Sequence, residues 1–217
     1  MLRRVFIVDD HPLMRRGYRS LLEAEPDLVV CGEAGGAAAA LSGILESRPD
    51  LVITDVTLED GGGIELIRDL RERRPELPIL VVSMHDEMLY AERALRAGAR
   101  GYVMKGETDA DLVLTVRTLL AGGLHLSPRM QRRALEQLAG RAAPTGQPAE
   151  SALADRELEV FELLGRGFST REVAEALHVS PKTVETYRGR IKDKLGLKDS
   201  AELLHRAVRY AQERGLV

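Results

Sequence analysis

The run Val5-Phe6-Ile7-Val8-Asp9-Asp10, then a helical pattern over residues 13–24, then a second apolar run, Leu28-Val29-Val30-Cys31, reads as strand, helix, strand. Both apolar runs are too short for helices and rich in Val and Ile. The alternation continues with strands at 51–54, 79–83 and 101–104 and amphipathic helices at 37–46, 63–73, 88–97 and 109–120. Five successive β-α units predict a parallel sheet, because parallel strands need crossovers and right-handed crossovers place helices on both faces. The fold class is α/β, a doubly wound five-stranded parallel sheet.

The 217 residues are 44% hydrophobic and 30% charged, without Trp, which excludes a disordered polyelectrolyte. No apolar run approaches the ~20 residues a bilayer needs. Asp9-Asp10 interrupts the apolar start, unlike a signal peptide, so a cytoplasmic chain with no membrane partner is expected. Cys31, the one cysteine, excludes an internal disulfide and a multi-thiolate metal site, and reads as a small buried strand residue. The net charge of −3, taken alone, argues weakly against a nucleic-acid partner.

The character changes after residue 121. Gly122-Gly123 ends the fifth helix, and Ser127-Pro128 supplies an N-cap with Pro at the first helical position, opening a short helix over 128–139. Residues 140–151, rich in Ala, Pro, Gly, Gln and Thr, have nothing to bury and read as a linker. From Leu153 onward the pattern is helical only. A first helix spans 155–166, the capping box Ser169-x-x-Glu172 opens one to 177, Ser180-Pro181 opens one to 195, and a last covers 200–213. The predicted division is 1–121, a connecting segment 122–152, and a small all-α domain 153–217.

Polar residues gather at the strand ends of the first domain. Asp9 and Asp10 follow the first strand, Asp55 the third, Ser83 ends the fourth and Lys105 follows the fifth. Ligands of open parallel sheets bind at this edge. Clustered carboxylates favour a hard divalent cation, and Mg²⁺ takes one or two carboxylates plus water and phosphate oxygens. Asp10 and Asp55 suit direct ligation, with Asp9 acting through water, and Asp55 is the candidate nucleophile for an acyl phosphate. Lys105 would balance phosphoryl charge, Ser83 would donate to a phosphoryl oxygen, and Tyr102 could follow the movement of Ser83. Each alone is explained by capping, solvation or packing; the joint spacing is what carries the reading.

Residues 3–121 thus resemble a response-regulator receiver domain, through Val8-Asp9-Asp10-His11-Pro12, Thr54-Asp55-Val56, Ser83 and the stretch from Gly98 to Lys105. The resemblance implies a flavodoxin-like strand order 2-1-3-4-5, phosphorylation of Asp55 by a sensor histidine kinase, and Mg²⁺ held by Asp10, Asp55 and the backbone carbonyl of Thr57. Two positions depart from the family pattern: Leu58-Glu59 replaces the usual Met-Pro, and Gly106 replaces the Pro that commonly follows the lysine. A phosphatase of the haloacid-dehalogenase type is a rival, but it needs an acid two residues after its nucleophile, where this chain has Thr57. No Gly-x-Gly-x-x-Gly follows the first strand, which disfavours a dinucleotide enzyme. At most, self-phosphorylation from small acyl phosphates and autodephosphorylation are expected as activities.

The second and third helices of the last domain are joined by His178-Val179, the spacing of a helix-turn-helix whose second helix enters the major groove of double-stranded DNA. Between Pro181 and Leu195, Lys182, Arg188, Arg190, Lys192 and Lys194 oppose only Glu185 and Asp193, and Val184, Ile191 and Leu195 recur at core-facing spacing. Residues 153–213 resemble the DNA-binding domain of LuxR-type regulators, through Arg156-Glu157-x-Glu159-Val160, Glu172-Val173-Ala174, Val179-Ser180, Lys182-Thr183-Val184 and Lys194-Leu195-Gly196. Together the resemblances indicate a response regulator of the NarL/FixJ type. They imply phosphorylation-promoted homodimerisation and DNA binding, masking of the DNA-binding helix before phosphorylation, and RNA polymerase as a further candidate partner. Lys182, Thr183, Arg188 and Lys192 are the candidate phosphate contacts, and Glu185 and Thr186 face base edges. Ala154 stands where a Ser or Thr cap is usual, which costs ~1 kcal/mol unless Asp155 or Ser151 substitutes. A phosphorylation-independent regulator with a relic Asp55 is the alternative.

By segment, residues 1–121 carry −6, residues 122–152 carry +2 and residues 153–217 carry +1. The acidic excess belongs to the expected Mg²⁺-binding domain, so the overall charge does not speak against DNA. Affinity from one nearly neutral DNA-binding domain is expected to be modest, which favours a dimer.

Overall fold

The computed structural model describes residues 2–58, 61–85, 87–105, 109–139, 149–177 and 179–213. The chain forms two compact units, Met1–Ala142 and Ala143–Val217. In the first, the elements run β1 (Arg3–Val8), α1 (Pro12–Glu23), β2 (Leu28–Ala34), α2 (Ala37–Ser47), β3 (Leu51–Thr54), β4 (Thr57–Leu58), β5 (Gly61–Gly62), α3 (Gly63–Arg73), β6 (Ile79–Ser83), α4 (Glu87–Ala97), β7 (Gly101–Met104), α5 (Asp109–Leu120) and α6 (Pro128–Leu138). The five long strands pair in parallel in the order β2-β1-β3-β6-β7, which is 2-1-3-4-5 counting those strands alone.

Alternate side chains of each strand serve opposite faces. Val5, Ile7, Leu51, Ile53 and Leu80 meet Leu22 of α1 and Leu112, Val116 and Leu119 of α5. Phe6 points the other way, and its ring fills the space that Cβ atoms on Gly32 and Gly43 of α2 would need. That ring explains why glycine stands at 32; β2 continues through it to Ala34 rather than ending at Cys31, and the β1–β2 register shifts between Val5 and Phe6. Cys31 is half-buried rather than buried, its Sγ 3.4 Å from the Val5 carbonyl oxygen. The short antiparallel pair β4–β5 had no counterpart in the sequence reading.

The helix expected over 128–139 is α6, and the Ser127 hydroxyl caps it by accepting from the Met130 N–H at 3.2 Å. The linker reading over 140–151 and the turn residue His178 fall wholly or partly outside the described residues.

The second unit holds a 3₁₀ turn at Ala149–Ala152 followed by α7 (Asp155–Gly165), α8 (Thr170–Ala176), α9 (Pro181–Leu195) and α10 (Ser200–Glu213). Leu158, Phe161, Val173, Val184, Ile191, Leu203, Ala207 and Ala211 form its buried interior. Ser169 and Glu172 complete the expected capping box: Ser169 Oγ accepts from the Glu172 N–H at 3.3 Å, and Glu172 Oε2 accepts from the Ser169 N–H at 2.8 Å. Ser180 caps α9 by accepting from the Thr183 N–H, and Gly196, at φ 66°, closes it. At α7 the missing Ala154 hydroxyl is half-compensated by Glu157, whose Oε2 accepts from the Ala154 N–H at 2.8 Å. Among the described residues, no helix is long and apolar enough to cross a membrane.

Candidate functional site

The edge at the carboxyl ends of β1, β3, β6 and β7 is where the first unit gathers charge. Lys105 directly follows β7, and its N–H donates to the Ser83 carbonyl at 2.7 Å, continuing the ladder. That anchorage directs its side chain inward, where Nζ lies 2.5 Å from Asp55 Oδ2 and 2.8 Å from Asp9 Oδ2, with 5% of the side chain exposed. Burial pulls the Lys105 pKa down, but the Asp55 and Asp9 carboxylates more than offset this and hold it above the ordinary lysine value. Asp55 Oδ1 accepts from the Val56 N–H at 2.6 Å and the Thr57 N–H at 3.4 Å, so both carboxylate oxygens are oriented. The first turn of α3 lies directly against this loop: a Cβ on Gly63 would collide with the Asp55 carbonyl oxygen.

Asp9, Asp10 and His11 can each bring one ligand atom within 4.8 Å of the others. Asp9 Oδ1 accepts from the His11 N–H at 2.8 Å, and His11 Nδ1 lies 2.5 Å from Asp10 Oδ1. Asp55 is joined to this trio through Lys105. The three carboxylates crowd hard oxygens together, the donor set that Mg²⁺ takes, so the residues fit that ion. Tyr18 of α1 lies beside the cluster with its buried hydroxyl unpartnered among the described residues. Burial first, then Asp9 and Asp55, push its pKa well above the ordinary value, so it stays a phenol.

Ser83 is fully buried, and its Oγ accepts from the His85 N–H at 3.3 Å. Tyr102 is buried as well, and its hydroxyl donates to the His85 carbonyl at 2.7 Å. The His85 ring meets the Thr57 hydroxyl at 3.0 Å through Nε2 and stacks at a tilt on Tyr90 of α4, with centroids 4.5 Å apart. His85 therefore ties the loop after Asp55 to both Ser83 and Tyr102. The sequence reading missed His85 and His11 as members of the site. Adjacency to Asp10 and Ser83 was the available signal.

On the second unit, α9 leaves Lys182, Glu185, Thr186 and Arg190 exposed and Lys192 half-buried. Among the described residues Lys182, Arg190 and Lys192 carry no ion pair. Thr183 is half-buried, its hydroxyl 2.8 Å from Ser180 Oγ, and the Thr186 hydroxyl donates to the Lys182 carbonyl. Two cations of the basic helix are engaged within the unit. Lys194 Nζ lies 2.6 Å from Glu157 Oε2, and Arg188 bonds Thr170 and Glu185 with only 13% of its side chain exposed. Arg188, expected at a phosphate, is thus turned toward α8.

A family model described as the response regulator receiver domain matches residues 5–117, and one described as bacterial regulatory proteins of the luxR family matches residues 151–207. The chain is similar to the DNA-binding transcriptional activator DevR/DosR of Mycobacterium tuberculosis, 38% identical over 195 residues covering 90% of this chain and 89% of that protein. It is 36% identical to the transcriptional regulatory protein UhpA of Salmonella typhimurium over 202 residues, 93% of this chain and 96% of that one. Among solved structures it resembles RcsB from Salmonella enterica serovar Typhimurium bound to promoter rprA in the presence of phosphomimetic BeF3−, with TM-score 0.59, 27% identity and coverage of 94% of this chain and 98% of that one.

Proposed function

Because the chain belongs to the response-regulator family that joins a receiver domain to a LuxR-type DNA-binding domain, and is thereby a DNA-binding transcriptional regulator of a two-component system, we propose that Asp55 is its phosphoacceptor and α9 its recognition helix. The observation that carries the first half is the single buried ammonium of Lys105 shared by Asp55 and Asp9 beside Asp10. We assign residues 1–121 to the receiver, 122–152 to the connection and 153–217 to DNA binding.

A carboxylate oxygen of Asp55 forms a bond to phosphorus as the phosphohistidine bond of a sensor kinase breaks, leaving an acyl phosphate. Asp10, Asp55 and the Thr57 carbonyl would hold Mg²⁺, with Asp9 acting through water; when bound, the ion neutralises the oxygens that crowd together there. Lys105 stays protonated at neutral pH and counters the roughly two negative charges the phosphoryl group adds. The Ser83 hydroxyl turns from the His85 N–H to a phosphoryl oxygen, and Tyr102, freed with the His85 segment, reshapes the face of α4, β7 and α5, favouring a homodimer.

On DNA, Lys182, Thr183 and Lys192 meet phosphates, Glu185 and Thr186 face base edges, and Leu204 of α10, exposed beside buried Leu203 and Ala207, contributes to a dimer surface. Incubation with a small acyl phosphate and Mg²⁺ tests the switch by intact mass. One phosphoryl gain on the wild type and none on Asp55→Asn is expected, whereas no gain on the wild type, or an equal gain on Asp55→Asn, refutes it.

A further inference from the structure

Glu185 is not a freely moving surface carboxylate. The Thr170 hydroxyl, in the first turn of α8, donates to Glu185 Oε1 at 3.0 Å and accepts from Arg188 Nη1 at 2.7 Å, while the same Nη1 lies 3.3 Å from Glu185 Oε1. The triangle closes between two helices and draws the Arg188 guanidinium inward, where its Nε is buried without a hydrogen-bond partner among the described residues. Glu185 itself stays 58% exposed, and its Oε2 makes no hydrogen bond among the described residues. One carboxylate oxygen is held from within the unit and the other is left available.

We propose that Thr170 and Arg188 are positioning residues for base selection, holding Glu185 so that its free oxygen accepts from an exocyclic amino group in the major groove, cytosine N4 above all; this rests on the reading of α9 as the recognition helix. Glutamate is a poor approach to DNA for two reasons, and the triangle answers both. Its flexible side chain must be ordered on binding, and a restraint already present lowers that cost. Its charge is repelled by phosphates, and the adjacent guanidinium offsets it where the duplex backbone passes. A carboxylate delivered in this way discriminates by geometry, since a base edge lacking the amino donor leaves it unpaired. Thr170 thereby sets sequence preference without reaching the duplex, and Arg188 acts through Glu185 rather than through a phosphate.

The test uses the full-length chain. Duplexes are selected from a random-sequence library, and binding to the selected duplex and its single-base-pair variants is then measured at several salt concentrations. Glu185→Ala should erase the preference at one base pair of each half-site. Thr170→Val should weaken that preference about three- to tenfold and leave the other positions alone. Thr170→Ser, which keeps the hydroxyl, should restore it, and Thr170→Val should add nothing in the Glu185→Ala background. Arg188→Met should weaken the same preference without changing the salt slope. If Glu185→Ala alters the preference while Thr170→Val and Arg188→Met do not, the positioning role is overturned and the recognition helix stands. A slope shallower by about one for Arg188→Met, with preference intact, makes Arg188 a phosphate contact and overturns its positioning role. If Glu185→Ala leaves every position unchanged, the recognition reading falls and this proposal with it.

Discussion

The strand-end cluster of the first unit and the outer surface of α9 both depend on charge, yet they handle it oppositely. At the strand ends Asp9, Asp55 and Lys105 are almost wholly buried, and each is fixed by a strand terminus. On α9 most of the charges sit at the surface, where water allows alternative partners, and two of the five cations, one of them the largely buried Arg188, bond to carboxylates of their own unit. Buried charge has one arrangement that the fold can tolerate, so its chemistry follows from position in the fold. Surface charge is allocated by local contacts, so counting it overstates what is available to a ligand.

That contrast breaks most visibly at Lys105. Lys105→Met removes the ammonium shared by a buried pair of carboxylates and should destabilise the first unit by about 3 kcal/mol in urea unfolding, with Mg²⁺ recovering part of the loss. A cost below about 0.5 kcal/mol would mean that the cluster is hydrated and behaves like the surface of α9. A smaller effect sharpens the α9 side. Lys192→Ala should make the salt dependence of DNA binding shallower by about one phosphate contact, whereas Lys194→Ala should leave the slope alone and lower the thermal stability of the unit, because Lys194 holds Glu157. Equal slopes for both variants would show that engagement with Glu157 does not withhold Lys194 from DNA.

The smallest effect concerns Glu172, whose pKa is lowered first by the Ser169 N–H and then by the Ser169 side chain. A depressed carboxyl pKa lends stability that is fully present above the ordinary value of 4.5 and is lost as pH falls through the lowered one. Glu172→Gln should therefore melt slightly earlier than wild type at pH 7, and the two melting curves should converge as the solution is acidified below that value. A gap that persists in acid would assign the effect to packing rather than to the charge of the cap.

The same contrast governs how much could be read from the amino acids alone. The five strands and their order were legible because strands buried on both faces appear as unbroken apolar runs. The gathering of Asp9, Asp55, Ser83 and Lys105 at one edge was legible because four of the five runs end at or just before one of them. The β4–β5 pair escaped because two-residue strands that include Gly61 and Gly62 carry no periodicity. The extension of β2 escaped because Gly32-Glu33-Ala34 is no apolar run, and it is strand only through pairing with Phe6, Ile7 and Val8, 26 residues away. The contacts of His85 and Arg188 were illegible for a related reason: they are made with Thr57 and Thr170, partners brought close only by folding. The caps of α8 and α9, whose partners lie three residues apart, could be read directly.

The glycine at the head of α3 has a mechanical consequence. With no side chain between the Gly63 Cα and the Asp55 carbonyl, and with the Gly63 N–H donating to the Val56 carbonyl at 2.6 Å, loop and helix have no compliant layer between them. They form a stiff joint, so a displacement of the Asp55 backbone is transmitted to the first turn of α3 as a push on its axis rather than absorbed by a rotating side chain.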